Sequence, residues 1–155
     1  MAVTIAIETP LQDDVRRLVS ELNAYLIPLS PREFQFQMTV EQMADARTTV
    51  FIARDEAGDA VGMGALKVES AELAEVKRMF TRPELRGQRI GAAILGAVEA
   101  LAREKRIAML KLETGEGPGF QAAHRLYTRS GFTRCGAFLD YPASPYSAFF
   151  EKQLD

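Results

Sequence analysis

Apolar residues alternate with polar or small residues in several short stretches of this chain, a pattern typical of β-strands. The first stretch is residues 3–8, in which Val3, Ile5 and Ile7 are the large apolar members. Similar stretches predict six further strands, over residues 48–54, 60–68, 73–81, 108–113, 132–137 and 147–154. Segments 48–54 and 60–68 are separated by a short polar turn, so we expect them to form a hairpin.

Other stretches have apolar residues at helical spacing. We predict helices over residues 13–26, 39–46, 90–105 and 120–130. Asp13 or Asp14 is the expected N-cap of the first helix. Thr39 and Gln42 have the spacing of a capping box and predict the start of the second. Gly131 follows the last helix in the position of a glycine that ends it.

The predicted order of elements is β-α-α-β-β-β-α-β-α-β-β. This order is neither the strict alternation of a doubly wound fold nor an all-β meander. We therefore predict a mixed α/β fold, in which helices flank a central mixed sheet. With 155 residues, 47% of them hydrophobic, the chain has the size and composition of a single domain over residues 1–155.

The charge balance narrows the range of partners. The chain has 19 Lys plus Arg residues against 21 Asp plus Glu residues, so we expect no binding to nucleic acid or to a membrane surface. Cys135 is the single cysteine and no C-x-x-C pair is present, which argues against a disulfide and a zinc site. A cytoplasmic location and no bound metal are the resulting expectations.

The segment Arg86-Gly-Gln-Arg-Ile-Gly91 lies between a predicted strand and a predicted helix. The first N–H groups of a helix lack intrahelical partners, and the helix dipole adds partial positive charge, so this position suits an anion. Gly87 and Gly91 have no Cβ, and Arg86 and Arg89 supply forked donors for phosphate oxygens. The alternative is a plain strand-to-helix turn with solvated arginines.

Two segments together resemble the GNAT family of acyl-CoA-dependent N-acetyltransferases. The first is Glu75-Val-Lys-Arg-Met-Phe-Thr-Arg-Pro-Glu-Leu-Arg86-Gly-Gln-Arg-Ile-Gly91, and the second is Ala123-His-Arg-Leu-Tyr-Thr-Arg-Ser-Gly-Phe132. The family's turn has the form R/Q-x-x-G-x-G/A, and Arg89 here occupies the position of its inner glycine. A residue other than glycine costs little there if its φ and ψ are already helical. The tail of the chain looks like that of a bacterial subgroup with mostly unassigned substrates.

The resemblance implies the GNAT fold, with a mostly antiparallel sheet of six to seven strands flanked by about four helices. It also implies acetyl-CoA as cosubstrate. The backbone of one strand would pair with the pantetheine arm, and the turn would hold the pyrophosphate. The implied cofactor-binding residues are Met79, Phe80, Thr81, Arg86, Gly87, Gln88, Arg89, Ile90 and Gly91.

The resemblance makes Tyr127 the group that protonates or hydrogen-bonds the departing thiolate. Without the family, the pattern favours Tyr127 as a core aromatic residue on an amphipathic helix. An amine nucleophile must also lose a proton, and Glu75 and Glu113, on the two strands beside the acetyl group, are the candidate bases; a salt-bridged carboxylate is the alternative for each. Arg32 could bind a substrate carboxylate or lie on the surface, and Tyr141 could line the acceptor pocket.

The leading hypothesis is therefore an enzyme that transfers an acetyl group from acetyl-CoA to a primary amine of a small molecule or peptide by direct attack. The alternative is an acyl-CoA-binding regulatory module without catalysis. The resemblance leaves open a homodimer, which is common in the family.

Overall fold

The computed structural model describes residues 2–155. Within that range seven strands form one sheet: β1 (Thr4–Ile7), β2 (Thr48–Arg54), β3 (Ala60–Val68), β4 (Leu73–Thr81), β5 (Met109–Gly115), β6 (Thr133–Cys135) and β7 (Ser147–Gln153). Their order is β1-β2-β3-β4-β5-β7-β6. The β4–β5 pair is parallel and the other neighbouring pairs are antiparallel. The predicted mixed, mostly antiparallel sheet is confirmed.

Four α-helices accompany the sheet in the described residues: α1 (Asp13–Leu26), α2 (Val40–Met43), α3 (Ile90–Glu104) and α4 (Gln121–Arg129). Apolar residues of α1 and α2 pack on one face of the sheet, against residues such as Met63 and Phe80. The other face packs against α3 and the buried Tyr127 of α4, with Leu110 and Leu112 of β5 in the same cluster. The two faces give the sheet two separate apolar cores.

The parallel pair β4–β5 is short. It runs only from the pair Leu73 and Met109 to the pair Glu75 and Lys111. β4 then continues to Thr81 and β5 to Gly115 without pairing to each other. The chain therefore has a cleft in the middle of its sheet, bordered on one side by an unpaired strand edge.

A β-bulge distorts β4 beside this cleft. Met63 of β3 pairs with Phe80, and Ala65 pairs with Lys77. Two residues of β4, Arg78 and Met79, thus lie opposite one residue of β3, and Arg78 has φ +56° in the left-handed region. A bulge of this kind bends the strand and redirects a side chain.

The ends of several elements differ from the predictions. The second helix begins at the predicted Thr39 capping box but ends at Met43, because the chain then turns, with the Asp45 carboxylate accepting the Arg47 N–H at 2.7 Å. The predicted strand 132–137 is shortened to 133–135, and β5 continues beyond 113 to Gly115. These differences shift boundaries and leave the order of elements as predicted.

The predicted N-cap of the first helix is also wrong. Gln12 occupies that position without a side-chain capping bond, and Asp13 and Asp14 lie in the first turn. Asp14 instead accepts a hydrogen bond of 2.6 Å from Arg54. Arg54 also binds Glu8 at 2.7 Å, so a long-range ion-pair cluster, which local spacing cannot indicate, takes the carboxylate that we expected to cap the helix.

Candidate active site

A cavity of about 620 Å³ opens where β4 and β5 diverge. Its walls come from the end of α1 and the following loop, from β4, from the turn before α3, from the end of β5 and from α4. Segments that are far apart in the sequence therefore meet around one space. Its volume is in the range typical of small-molecule sites.

The turn before α3 forms one end of the cavity. Arg86, Gly87, Arg89, Ile90 and Gly91 line it. Gly87 has φ +87° and open space around its missing Cβ, so the backbone there is accessible to a ligand. Together with the free N–H groups of the 15-residue helix α3, this geometry suits an anion such as pyrophosphate.

Three details of the turn were not expected. Gln88, predicted to bind the cofactor, is not among the cavity-lining residues. A Cβ at Gly91 would lie 3.3 Å from the Leu126 side chain, so this glycine also allows α4 to pack closely against α3. The Arg86 guanidinium stacks on the ring of Tyr25 at 5.0 Å, which ties the turn to α1.

Arg89 does not meet the condition under which we expected it to be tolerated. It is the N-cap of α3 with φ +63° and ψ +21°, which is left-handed rather than helical backbone. A residue with a Cβ is disfavoured in that region by about 1 to 2 kcal/mol. The glycine of the family's motif would relieve this strain, so the arginine side chain is present at a local cost in backbone energy.

The unpaired edge of β4 provides a second binding element. Met79, Phe80 and Thr81 belong to the part of β4 that has no partner in β5, and all three line the cavity. An extended ligand with amide groups can hydrogen-bond to such an edge as an added strand. The pantetheine arm of coenzyme A has this shape and chemistry, so the turn and the strand edge together fit coenzyme A.

Tyr127 lies on the face of the sheet that carries α3 and α4. Its side chain is 6% exposed, and its ring lies 5.9 Å from those of Phe132 and Phe150. It is therefore a core aromatic residue and a cavity-lining residue at once. Burial, with a smaller contribution from the charge of Glu113, raises the pKa of the Tyr127 hydroxyl well above its usual range.

His124 lies one turn before Tyr127 and has a structural position. Its Nε2 hydrogen-bonds the Gly115 carbonyl at 2.8 Å, and Arg134 donates to its Nδ1 at 3.3 Å. The carbonyl can only accept a hydrogen bond and the guanidinium can only donate one, so Nε2 is the donor and Nδ1 the acceptor in these contacts. Both ring nitrogens are engaged, so neither is free to accept a proton from a substrate amine.

Glu75 lies in the cavity wall on the opposite face of the sheet and is 2% exposed. The Tyr141 hydroxyl donates a hydrogen bond to its carboxylate. Lys77 lies 3.3 Å from the same carboxylate and donates to the Tyr141 hydroxyl at 2.6 Å. The carboxylate, the ammonium and the phenol thus form one mutually hydrogen-bonded cluster around the buried Glu75.

Glu113 occupies the β5 side of the cavity without an ion-pair partner in the described residues. It lies beside Phe149 of β7. Burial raises the pKa of Glu113 from an ordinary value of 4.5 to about 7, and the nearby Ser147 hydroxyl and the positive charge of Lys77 oppose this rise. A carboxylate with a pKa near neutrality is suited to accept and release a proton at physiological pH.

Tyr141 closes this side of the site with other aromatic residues. Its ring lies 5.1 Å from Phe36 in an edge-to-face arrangement and 5.1 Å from Phe138. Tyr141 itself is not a direct lining residue, whereas its partners Phe36 and Lys77 are. It therefore supports the wall of the pocket through its neighbours.

Arg32 is not brought to the cavity. It is exposed at the start of a 3₁₀ turn over Arg32–Phe34, and the neighbouring Ser30, Phe34 and Gln35 line the cavity instead. Sequence reasoning also missed Arg78, which lines the cavity from the bulge in β4. A signal was present: two basic residues followed by the adjacent apolar pair Met79 and Phe80 interrupt the strand's alternation.

No group of three or more His, Cys, Asp or Glu side chains within residues 2–155 is arranged to hold a metal ion. In the same range, no helix has the length and apolar character needed to cross a membrane.

Comparisons with known proteins agree with this site. The model of the acetyltransferase (GNAT) domain matches residues 46–134. The chain is 39% identical to an IAA acetyltransferase of Azospirillum brasilense over 153 residues, which is 98% of each chain. The structure resembles that of a protein assigned as an acyl-CoA N-acyltransferase from Klebsiella pneumoniae, with a TM-score of 0.81, 33% identity and coverage of 99% and 98% of the two chains.

The fold is also shared with a PaiA N-acetyltransferase of Thermoplasma acidophilum, solved in complex with coenzyme A. That similarity has a TM-score of 0.76 over 99% of this chain and 100% of the other, at 15% identity.

The fold, the cleft and these relatives define an acyl-CoA-dependent N-acyltransferase. The chain belongs to the GNAT family of acetyltransferases, and the predicted family and enzyme class are confirmed.

Proposed function

We propose that this protein transfers an acetyl group from acetyl-CoA to the primary amine of a small molecule by direct attack. The observation that carries the proposal is the meeting of three features in one cavity: the unpaired edge of β4, the anion-binding turn before α3, and a half-buried carboxylate, Glu113, whose pKa is raised to about 7. Acetyl-CoA is the cosubstrate that fits the first two features. The third supplies a base.

In the proposed reaction, the amine nitrogen forms a bond to the acetyl carbon and the carbon–sulfur bond of the thioester breaks. Glu113 accepts the proton that the amine loses. Its carboxylate is without an ion-pair partner in the described residues, whereas Glu75 is bound by Tyr141 and Lys77. This difference favours Glu113 over Glu75 as the base, and Glu75 then acts in positioning the pocket.

In this scheme the sulfur departs as a thiolate, and the Tyr127 hydroxyl donates a hydrogen bond to it. A buried phenol with a raised pKa stays protonated at neutral pH. The same elevation makes complete transfer of the proton less favourable, so hydrogen-bond donation to the developing thiolate is its main contribution. A backbone N–H of Met79 or Phe80, beside the bulge, is the proposed donor to the acetyl oxygen.

A regulatory module that binds acyl-CoA without catalysis is the second candidate. It does not require a cavity carboxylate with a pKa near 7, and this carboxylate therefore favours the enzyme. The name of the Azospirillum brasilense relative agrees with acetyl transfer. A peptide acceptor, a homodimer and a cytoplasmic location stay predictions.

The test is release of free thiol from acetyl-CoA in the presence of a panel of primary amines, with the acetylated product identified by mass spectrometry. Tyr127→Phe should lower kcat by about 10²-fold, with little change in acetyl-CoA affinity. Tyr146→Phe is the matched control, because Tyr146 is an exposed tyrosine at 42%. Binding of acetyl-CoA without turnover of any amine would favour the regulatory module, and an unchanged kcat in Tyr127→Phe would remove this residue from the mechanism.

A further inference from the structure

Arg78 is a buried cation that the reaction described above does not use. It is 9% exposed and lines the cavity from the bulge in β4. Its Nη2 donates a hydrogen bond to the Oδ1 atom of Asn23 in α1. The bulge and this bond hold the guanidinium on the face of the sheet that carries α1.

The charge of Arg78 is not neutralised within the described residues. No ion pair there includes it, and its buried Nε has no hydrogen-bond partner. Burial lowers the pKa of Arg78 to about 10, and no neighbouring carboxylate counteracts this effect. Arg54, by contrast, binds both Glu8 and Asp14.

An unpaired buried cation is unfavourable by several kcal/mol, and a partner anion removes most of this penalty. The backbone at Arg78 is also left-handed, with φ +56°, which is a second local cost. Two unfavourable features at one cavity-lining residue indicate a position maintained for a ligand.

A ligand bound to Arg78 would lie in a different part of the fold from the phosphates of coenzyme A. The anion-binding turn leads into α3, and Tyr127 lies in α4. Both helices pack on the opposite face of the sheet from α1, although Arg86 of the turn also reaches Tyr25 at the end of α1. Glu113 shares the α1 face with Arg78, because Leu110 and Leu112 of the same strand point to the α3 face. Arg78 and the proposed base Glu113 thus lie on the same face of the sheet, which we call the acceptor side.

We infer that the acceptor carries a carboxylate near its amine, as an amino acid does, and that Arg78 binds this carboxylate. The Nε–H and the second hydrogen of Nη2 form one edge of the guanidinium, which can hold two carboxylate oxygens at once. Asn23 accepts one hydrogen of Nη2 and fixes the position of the guanidinium. The inference rests on the proposed function and assigns its substrate class.

This assignment differs from the expectation that Arg32 binds a substrate carboxylate. Arg32 is exposed outside the cavity, where water screens its charge. At Arg78 the low-dielectric surroundings strengthen the interaction with a carboxylate.

The experiment compares kcat/KM for L-amino acids with kcat/KM for their carboxamides, which keep the amine but lack the negative charge. The wild-type protein should prefer the amino acids by about 10- to 100-fold, as expected for a buried, charge-assisted pair of hydrogen bonds. Arg78→Gly should reduce this preference to about one while the KM for acetyl-CoA stays within about twofold. Glycine suits the φ of +56° at this bulge, so this variant should fold.

Two further variants sharpen the result. Arg78→Lys keeps the positive charge but not the forked donors, so it should retain only part of the preference. Arg16→Leu is the matched control, because Arg16 is an exposed arginine of α1, paired with Glu41, and should leave the preference unchanged.

The outcomes separate the inference from the proposed function. Acetylation of amines with no preference for a carboxylate would overturn the inference and leave the proposed function intact. A preference that survives in Arg78→Gly would also overturn it, and a loss confined to acetyl-CoA binding would assign Arg78 to the cosubstrate instead. If no amine is acetylated, calorimetric binding of amino acids to the wild type and not to Arg78→Gly would still support the site, and equal binding would refute it.

Discussion

Replacing Glu113 with Gln should change stability and activity in opposite directions. The side chain keeps its size but can no longer ionise. In the folded protein, burial raises the pKa of Glu113 from 4.5 to about 7, and this difference corresponds to about 3 kcal/mol of unfavourable free energy once the carboxylate is fully ionised. The glutamine variant does not carry this penalty.

The direction in which stability changes with pH follows from proton binding. Between pH 4.5 and about 7 the folded protein holds a proton on Glu113 that the unfolded chain has lost. Stability of the wild type therefore falls as the pH rises through this window and levels off above it. Relative to the wild type, Glu113→Gln should gain about 2.5 kcal/mol between about pH 5 and about pH 8.

Urea unfolding followed by circular dichroism at these two pH values measures the difference directly. The same variant should lose at least about 10²-fold in kcat/KM for the amine. Activity of the wild type should increase as the pH rises through about 7, because Glu113 then loses its proton, and this increase should be absent in the variant. A stability difference that does not depend on pH would refute the raised pKa of the half-buried Glu113 carboxylate. A retained pH profile of activity would refute its role as the base.

Glu75→Gln provides the comparison. Glu75 is bound by Tyr141 and Lys77, so loss of its charge leaves the half-buried Lys77 ammonium without its counter-ion. We expect this variant to be destabilised at neutral pH by about 1 to 3 kcal/mol, whereas Glu113→Gln is stabilised there.

Other variants test further parts of the site. Arg89→Gly should raise thermal stability by up to about 1 kcal/mol because glycine suits the φ of +63°, while calorimetry should show weaker acetyl-CoA binding; unchanged affinity would mean that the arginine is only tolerated. Tyr141→Phe should lose about 1 to 3 kcal/mol in urea unfolding, because it removes the donor to the buried Glu75, and wild-type stability would contradict that hydrogen bond. Gly115→Ala should lower stability by about 1 to 3 kcal/mol, because its Cβ would overlap the ring of Phe120; an unchanged melting temperature would show that the ring moves freely.

Most of the fold could be predicted because its signals are local. The alternation in residues 48–54 and 60–68 and the helical spacing in 90–105 predicted elements that the structure contains. The Thr39 capping box and the glycine after α4 also rest on contacts within a few residues, and both are present. Such features depend on backbone geometry and nearest neighbours along the chain, which the sequence records directly.

Features that depend on distant segments were not predictable in the same way. Asp14 became a partner of Arg54 instead of a helix cap, because the two residues meet only when β2 packs beside α1. Arg78 was overlooked because nothing near it in sequence shows that α1 buries it without a carboxylate.

The sequence by itself determined the order of elements, the family and the turn from Arg86 to Gly91, because each is written in a short run of residues. Only the tertiary structure decided how the acceptor side is built. The divergence of β4 from β5, the difference between Glu75 and Glu113 and the unpaired charge of Arg78 depend on burial and on neighbours from distant segments. Burial sets the local dielectric, and distant segments supply or withhold the ion-pair partners. Neither can be read from spacing along the chain.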